Sequence, residues 1–234
     1  MKIIWVQIHD IKQLSKEQTI KGLGYYVYGA SKLQKKSHYD IWNNSALNHT
    51  MPDWEQLLGK YNALVVPLNI TYFKSIFEAF PDAKVIIDDI NPDNYVIRFK
   101  KFHHLVKVLS ILRFNTQINR IYSVVMKGFF IFYKGDYSNK NIKKTYLELK
   151  KEVLEIVPKD NLLLVKEDAG WIDFTTFLNV STPSFPYPLY TSNNLNIQRT
   201  GRALLASFLK HWPIYTLYIG TLIGLMIYLI FFYH

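Results

Sequence analysis

The chain contains no cysteine, so disulfides, thiolate metal sites and cysteine nucleophiles are excluded together, in keeping with a domain facing a reducing compartment. Charge is also sparse, at 20% of 234 residues, while 49% of the chain is hydrophobic and 16% aromatic. That composition excludes a disordered or low-complexity protein and suffices for one core of ordinary domain size.

Acids are almost missing from one stretch. Residues 98 to 151 hold 13 Lys and Arg against Asp136 and Glu148, a balance of +11 beside a whole-chain charge of +10. The remainder is therefore close to neutral, and the basicity is a local feature. Phe99, Phe102, Val106, Leu109 and Phe114 are interleaved with these cations, which predicts a basic amphipathic helical region over 98–127 rather than a free polycationic tail. Its partner is anionic lipid or simply water. No recognition motif for nucleic acid accompanies the charge, so no nucleic-acid partner is expected.

Charge is absent altogether from Trp212 to Tyr233. Those 22 residues, at about 1.5 Å each, reach about 33 Å as a helix, enough for a hydrocarbon core of about 30 Å. The spacing predicts a transmembrane helix over 212–233, with Trp212, Tyr215, Phe232 and Tyr233 near its ends and Arg199, Arg202 and Lys210 before it. The expected arrangement is a single-pass, tail-anchored protein with residues 1–194 as a cytosolic domain and 195–211 as a juxtamembrane linker. Gly220 and Gly224 form a GxxxG pair through which two anchors could associate as a homodimer, or they are two small residues in a lipid-facing helix.

Strand and helix signals alternate through the first 180 residues. Strands are expected at Lys2–Ile8, Tyr25–Tyr28, Ala63–Val66, Ala83–Ile87 and Leu162–Val165. Helices are expected at Ser15–Leu23, from near Pro52 to Leu58, at Thr71–Phe80, through the basic region, at Lys143–Val157 and at Trp171–Leu178. Alternation at this spacing predicts an α/β fold with a parallel sheet covered on both faces, and places any ligand beyond the carboxyl ends of the strands.

Several segments carry a resemblance. Phe77 to Ile86 (FEAFPDAKVI), Gly170-Trp171, Phe177-Leu178-Asn179-Val180, Pro183 with Phe185-Pro186-Tyr187-Pro188, Val157 to Leu163 (VPKDNLL), and Leu23-Gly24-Tyr25 resemble the P-loop sulfotransferases, in the branch often mislabelled NAD-dependent epimerase. The resemblance spans residues 2 to about 194. It implies a three-layer, P-loop NTPase-like domain and transfer of a sulfonyl group from PAPS to an acceptor. In that family the first strand leads into a loop of the form Gly-x-Pro-Arg-Thr-Gly-Thr-x-Ser that cradles the 5′-phosphosulfate with backbone amides and a helix N-terminus. The equivalent stretch here is Gln7-Ile8-His9-Asp10-Ile11-Lys12-Gln13-Leu14-Ser15. Both glycines are replaced, by Gln7 and Lys12, the arginine position is Asp10, and only Ser15 survives. An acid facing a dianion opposes it by an amount on the order of a few kcal/mol in a partly buried site.

The family's 3′-phosphate grip and catalytic acid are altered as well. Val-Arg-Asp-Pro is replaced by Asp89-Ile90-Asn91-Pro92, Arg98 stands where the family has a serine, and Val65-Val66-Pro67 lacks the acid expected before its proline. The resemblance thus implies a fold retained without its PAPS machinery, a binding or scaffold protein with no cofactor. The alternative is an active divergent sulfotransferase in which Lys12, Ser15 and Arg98 hold PAPS and His9 is the base. Ser15 also reads as a helix N-cap. Asp88 and Asp89 read as solvated acids at a strand end, since no GxxxxGK[ST] loop accompanies them as in a magnesium site. His103 and His104 read as surface histidines, because no third metal ligand lies one turn away.

Overall fold

The computed structural model describes residues 1–6, 13–111 and 116–188. The elements in order are β1 (Ile3–Val6), α1 (Gln13–Gly22), β2 (Val27–Gly29), α2 (Lys36–Asn48), α3 (Trp54–Leu58), β3 (Ala63–Val65), α4 (Phe73–Ala79), β4 (Lys84–Asp88), α5 (Pro92–Ile111), α6 (Thr116–Tyr133), α7 (Asn139–Ile156), β5 (Leu162–Val165) and α8 (Trp171–Leu178). Short 3-10 turns occupy Ala30–Gln34 and Lys159–Asn161. All five strands are parallel, in the order β2-β3-β1-β4-β5. Parallel neighbours require crossovers, and helices supply them on both faces.

The near-continuous apolar strands follow from burial on both sides. One face of the sheet, with Ile4, Val6, Leu64, Val85 and Ile87, packs under α2 to α7. The other, with Ile3, Trp5, Val65 and Ile86, packs under α1 and α8 through Ile20, Phe174 and Leu178. The motifs that resemble sulfotransferases are largely packing devices of this second layer. Trp171 donates its indole N–H to the Phe185 carbonyl at 2.8 Å, and Tyr187 stacks on Phe174 at 5.8 Å. Trp171 and Phe185 press so closely on Gly22 that a Cβ there would lie 2.9 Å from both rings.

The boundaries shift where local hydrogen bonds compete with the strand and helix patterns. β2 starts at Val27, not Tyr25, because Gly24 takes a φ of +85° and the Tyr25 N–H returns to the Ile20 carbonyl, closing α1. α3 starts at Trp54 because the Asp53 carboxylate accepts from the Gln56 N–H at 2.9 Å, an N-cap. α7 starts at Asn139 because Ser138 caps it, accepting from the Asn141 N–H. α2 is a helix that the apolar pattern did not announce, since only Trp42 and Ser45 of its residues are fully buried. β1 ends at Val6, and the remainder of the strand expected to Ile8 lies outside the described residues.

The basic region expected over 98–127 is two helices rather than one. α5 and α6 pack on each other with Phe99 and Phe102 lying 5.4 and 5.9 Å from the Phe129 ring. Among the described residues no helix is long and apolar enough to cross a membrane. The run 212–233, Gly220, Gly224 and the preceding Arg199, Arg202 and Lys210 lie outside the described residues.

Candidate functional site

In a parallel sheet of this order the chain moves to opposite sides of β1, and the crevice at the carboxyl ends of β1 and β4 is where ligands bind. The elements that meet there are the start of α1, the end of β4 and the loop after β5. Ser15 and Lys16 are in the first turn of α1 and both are buried. The helix begins at Gln13, so Ser15 lies inside it and is not the N-cap; its carbonyl accepts the Thr19 hydroxyl at 2.9 Å.

Lys16 does not point to solvent. Its ammonium donates to the carboxylate of Asp88, the last residue of β4, with the two side chains 6% and 9% exposed. It also sits 5.7 Å from the Trp5 ring centroid, a cation–π contact. Asp88 is thus a buried partner of Lys16, which corrects the reading of that acid as solvated. A buried carboxylate at a strand end requires a compensating cation, and α1, on the same face of the sheet, supplies it.

The neighbouring charges are arranged in the same manner. Asp89 accepts from the Lys150 ammonium of α7. Arg98, on α5, donates to Glu167 in the loop after β5 at 2.6 Å. Tyr146 of α7 fixes the backbone between these acids: its hydroxyl receives the Ile90 N–H at 3.1 Å and donates to the Ile90 carbonyl at 2.9 Å. Burial pushes the Tyr146 phenol above its ordinary range. The Tyr187 phenol, raised by burial against its hydrogen bond to Thr19, feels the charge of Asp88. The 183–188 segment therefore packs along the second half of α1, Tyr187 beside Thr19 and Phe185 against Gly22.

Of the four residues singled out for PAPS, Ser15 and Arg98 are described: Arg98 pairs with Glu167, and Ser15 accepts from Thr19 through its main-chain carbonyl. His9 and Lys12, with Asp10, lie outside the described residues. The position before Pro67 is Val66, fully buried and apolar. Sequence reasoning passed over Lys16, Lys150 and Glu167. The signal for Lys16 was a lysine next to the retained serine, on the helix that follows β1, with an aspartate ending the adjacent strand. Asn69 was likewise missed: it is buried in the turn after β3 and its side-chain amide donates to the Trp5 carbonyl.

Residues 14–194 match the family described as the sulfotransferase domain. The chain belongs to the sulfotransferase family. The match begins at Leu14, the eighth of the nine positions equivalent to the phosphate loop, and so takes in only its last two residues. A relative from Aspergillus versicolor, "Ava biosynthesis cluster protein M", is 26% identical over 178 residues. The alignment covers 68% of this chain and 64% of that relative, so the chain spans less than two thirds of the relative's length.

Among the described residues of this sulfotransferase-family site, Lys16 and Arg98 are each turned to a carboxylate of the chain itself. A phosphate held by Lys16 would lie beside the Asp88 carboxylate, which is only 6% exposed, and that like charge opposes a dianion. Glu167 adds like charge in the same way beside Arg98.

Proposed function

We propose that this sulfotransferase-family protein is a membrane-anchored, noncatalytic member of its family that serves as a binding or scaffold module. The observation that carries the reading is the buried Lys16–Asp88 pair: the cation at the start of α1 is held by a carboxylate of the chain itself. Arg98 with Glu167 and Lys150 with Asp89 extend the same self-neutralisation along the sheet edge. Its support in the sequence is the charge reversal at Asp10, the loss of both loop glycines and the apolar Val66 at the position of the acid. The anchor rests on the uncharged run 212–233.

The test is calorimetric titration of PAP and PAPS into the full chain in detergent micelles, with Asp10→Arg as a comparison. The expected result is no heat of binding up to millimolar ligand. Micromolar binding weakened by Arg98→Ala would support the other reading, an active divergent sulfotransferase, and direct the work to its acceptor.

A further inference from the structure

We propose that the outward face of α5 docks on the headgroups of an anionic bilayer by charge alone, without inserting into it. The proposal rests on the membrane-anchored reading for bringing the domain to a bilayer, and goes beyond it by naming the surface and the lipid chemistry. Among its described side chains the exposed ones are Asp93, Asn94, Ile97, Lys100, Lys101, His104 and Lys107, and the one acid, Asp93, is taken up by Lys143 of α7 at 2.9 Å. The apolar side of the same helix is already used. Phe99, Phe102 and Val106 are 0%, 8% and 0% exposed and lie in the protein core. A helix that binds lipid through a large apolar face must bury that face among acyl chains, and among the described side chains of α5 only Ile97 is apolar and exposed.

Charge identifies the occupant. From Asn94 to Lys134 there are eight Lys and Arg and no acid at all. α7 shows the contrast, since its Lys144 and Lys151 are matched by Glu148 and Glu155 at 3.7 and 3.6 Å on the same helix. Lys100 and Lys101 have no acid within a turn of them on α5, and such a face favours an anionic surface over a second copy of itself, which would bring like charges together. The uncharged run 212–233 in the same chain keeps that surface at high local concentration.

The absence of cysteine allows a clean test on the full chain. Co-flotation with neutral phosphatidylcholine vesicles first reads the anchor. Docking is then read from Ile97→Cys labelled with a polarity-sensitive fluorophore, in neutral vesicles and in vesicles containing about one third phosphatidylserine. The label is expected to shift to the blue only with phosphatidylserine, and to revert at about 1 M salt, where the Debye length is about 3 Å. Lys100→Ala and Lys101→Ala should each weaken docking roughly fivefold. The same label at Ile172→Cys, on α8 in the opposite layer and 75% exposed, should not respond. An unchanged Ile97 label in vesicles that do carry the protein overturns the docking and leaves the anchor standing. Flotation only with anionic vesicles removes the anchor and leaves the docking. A blue shift equal in neutral vesicles, indifferent to salt, means insertion or a partner copy and overturns the proposal.

Discussion

On the α1/α8 side of the sheet, Lys16 and Asp88 are both buried and hold each other. On the opposite side, Lys100 and Lys101 lie outside, and the interior beneath them is filled by rings: Phe99 stands 5.4 Å from Phe129 and 4.4 Å from Tyr133. The first region is specified by a polar pair that fails if either member is removed. The second is specified by volume and shape, and is indifferent to charge at its surface. Two layers of one domain thus use the same lysine side chain in opposite ways, and burial decides which.

The largest effects should come from the interior of each layer. Phe99→Ala, at a fully buried ring, should cost about 3–5 kcal/mol in urea unfolding. Asp88→Ala should cost about as much, 3–5 kcal/mol, by leaving Lys16 buried without a partner. The comparison sharpens in the double variant Lys16→Met, Asp88→Leu, which should regain most of the loss, since an apolar pair of similar volume is often neutral or better. No second substitution beside Phe99→Ala restores its side in that way. A double variant no more stable than Asp88→Ala alone would break the contrast between the layers.

Acid should act next, and mainly on the α2–α7 side. Trp42 donates its indole N–H to the Tyr28 oxygen at 2.9 Å, and that hydroxyl shares a hydrogen bond with His38 Nδ1 at 3.1 Å. Burial first, then Lys60, Lys35 and Lys32, hold the His38 imidazole below its ordinary range. Burial first, then Lys107 and His104, do the same to His103, which stacks 5.5 Å from Phe99 and 4.5 Å from Tyr137. In both rings the fold favours the neutral form over the charged one, so unfolding favours proton uptake. Their contribution is therefore complete above about pH 6.5 and is lost as pH falls through and below that value. The urea midpoint should fall between pH 7.5 and 5.5, and His38→Gln with His103→Gln should flatten that dependence.

Smallest of all should be Glu167→Gln. Its partner Arg98 is 23% exposed and Glu167 itself 48%, and a pair so open contributes about 0–1 kcal/mol. A loss as large as that of Asp88→Ala would mean that the edge of the sheet is held by the outer pair instead of the inner one.

Much of this frame is legible in the residues themselves. β5 and α8 begin and end where their apolar runs do, and the alternation of strands with helices carries the parallel sheet. The charge of 98–151 is legible too, but its division into α5 and α6 is not, because the apolar spacing continues across the join. α2 escapes because a helix fixed by one tryptophan and one serine among Lys, His and Asn has little periodicity to read. The Lys16–Asp88 pair escapes for another reason. The two residues are 72 apart in the chain and only the adjacency of β1 and β4 joins them, so Asp88 reads as a solvated acid until the strand order is known. His103 reads as a surface residue for a related reason: beside Phe99 of its own helix, its ring neighbours are Phe129 of α6 and Tyr137, which its sequence surroundings do not show. The candidate site is legible as a set of losses, and the carboxylates that take up its cations are not.

The most direct test of that self-neutralised edge is hydrogen exchange of the full chain with and without millimolar PAP, followed at α1 and β4. The account predicts the same exchange at Gln13–Gly22 and Lys84–Asp88 in both conditions, because Lys16 stays with Asp88. Slower exchange confined to those two segments when PAP is present would contradict it.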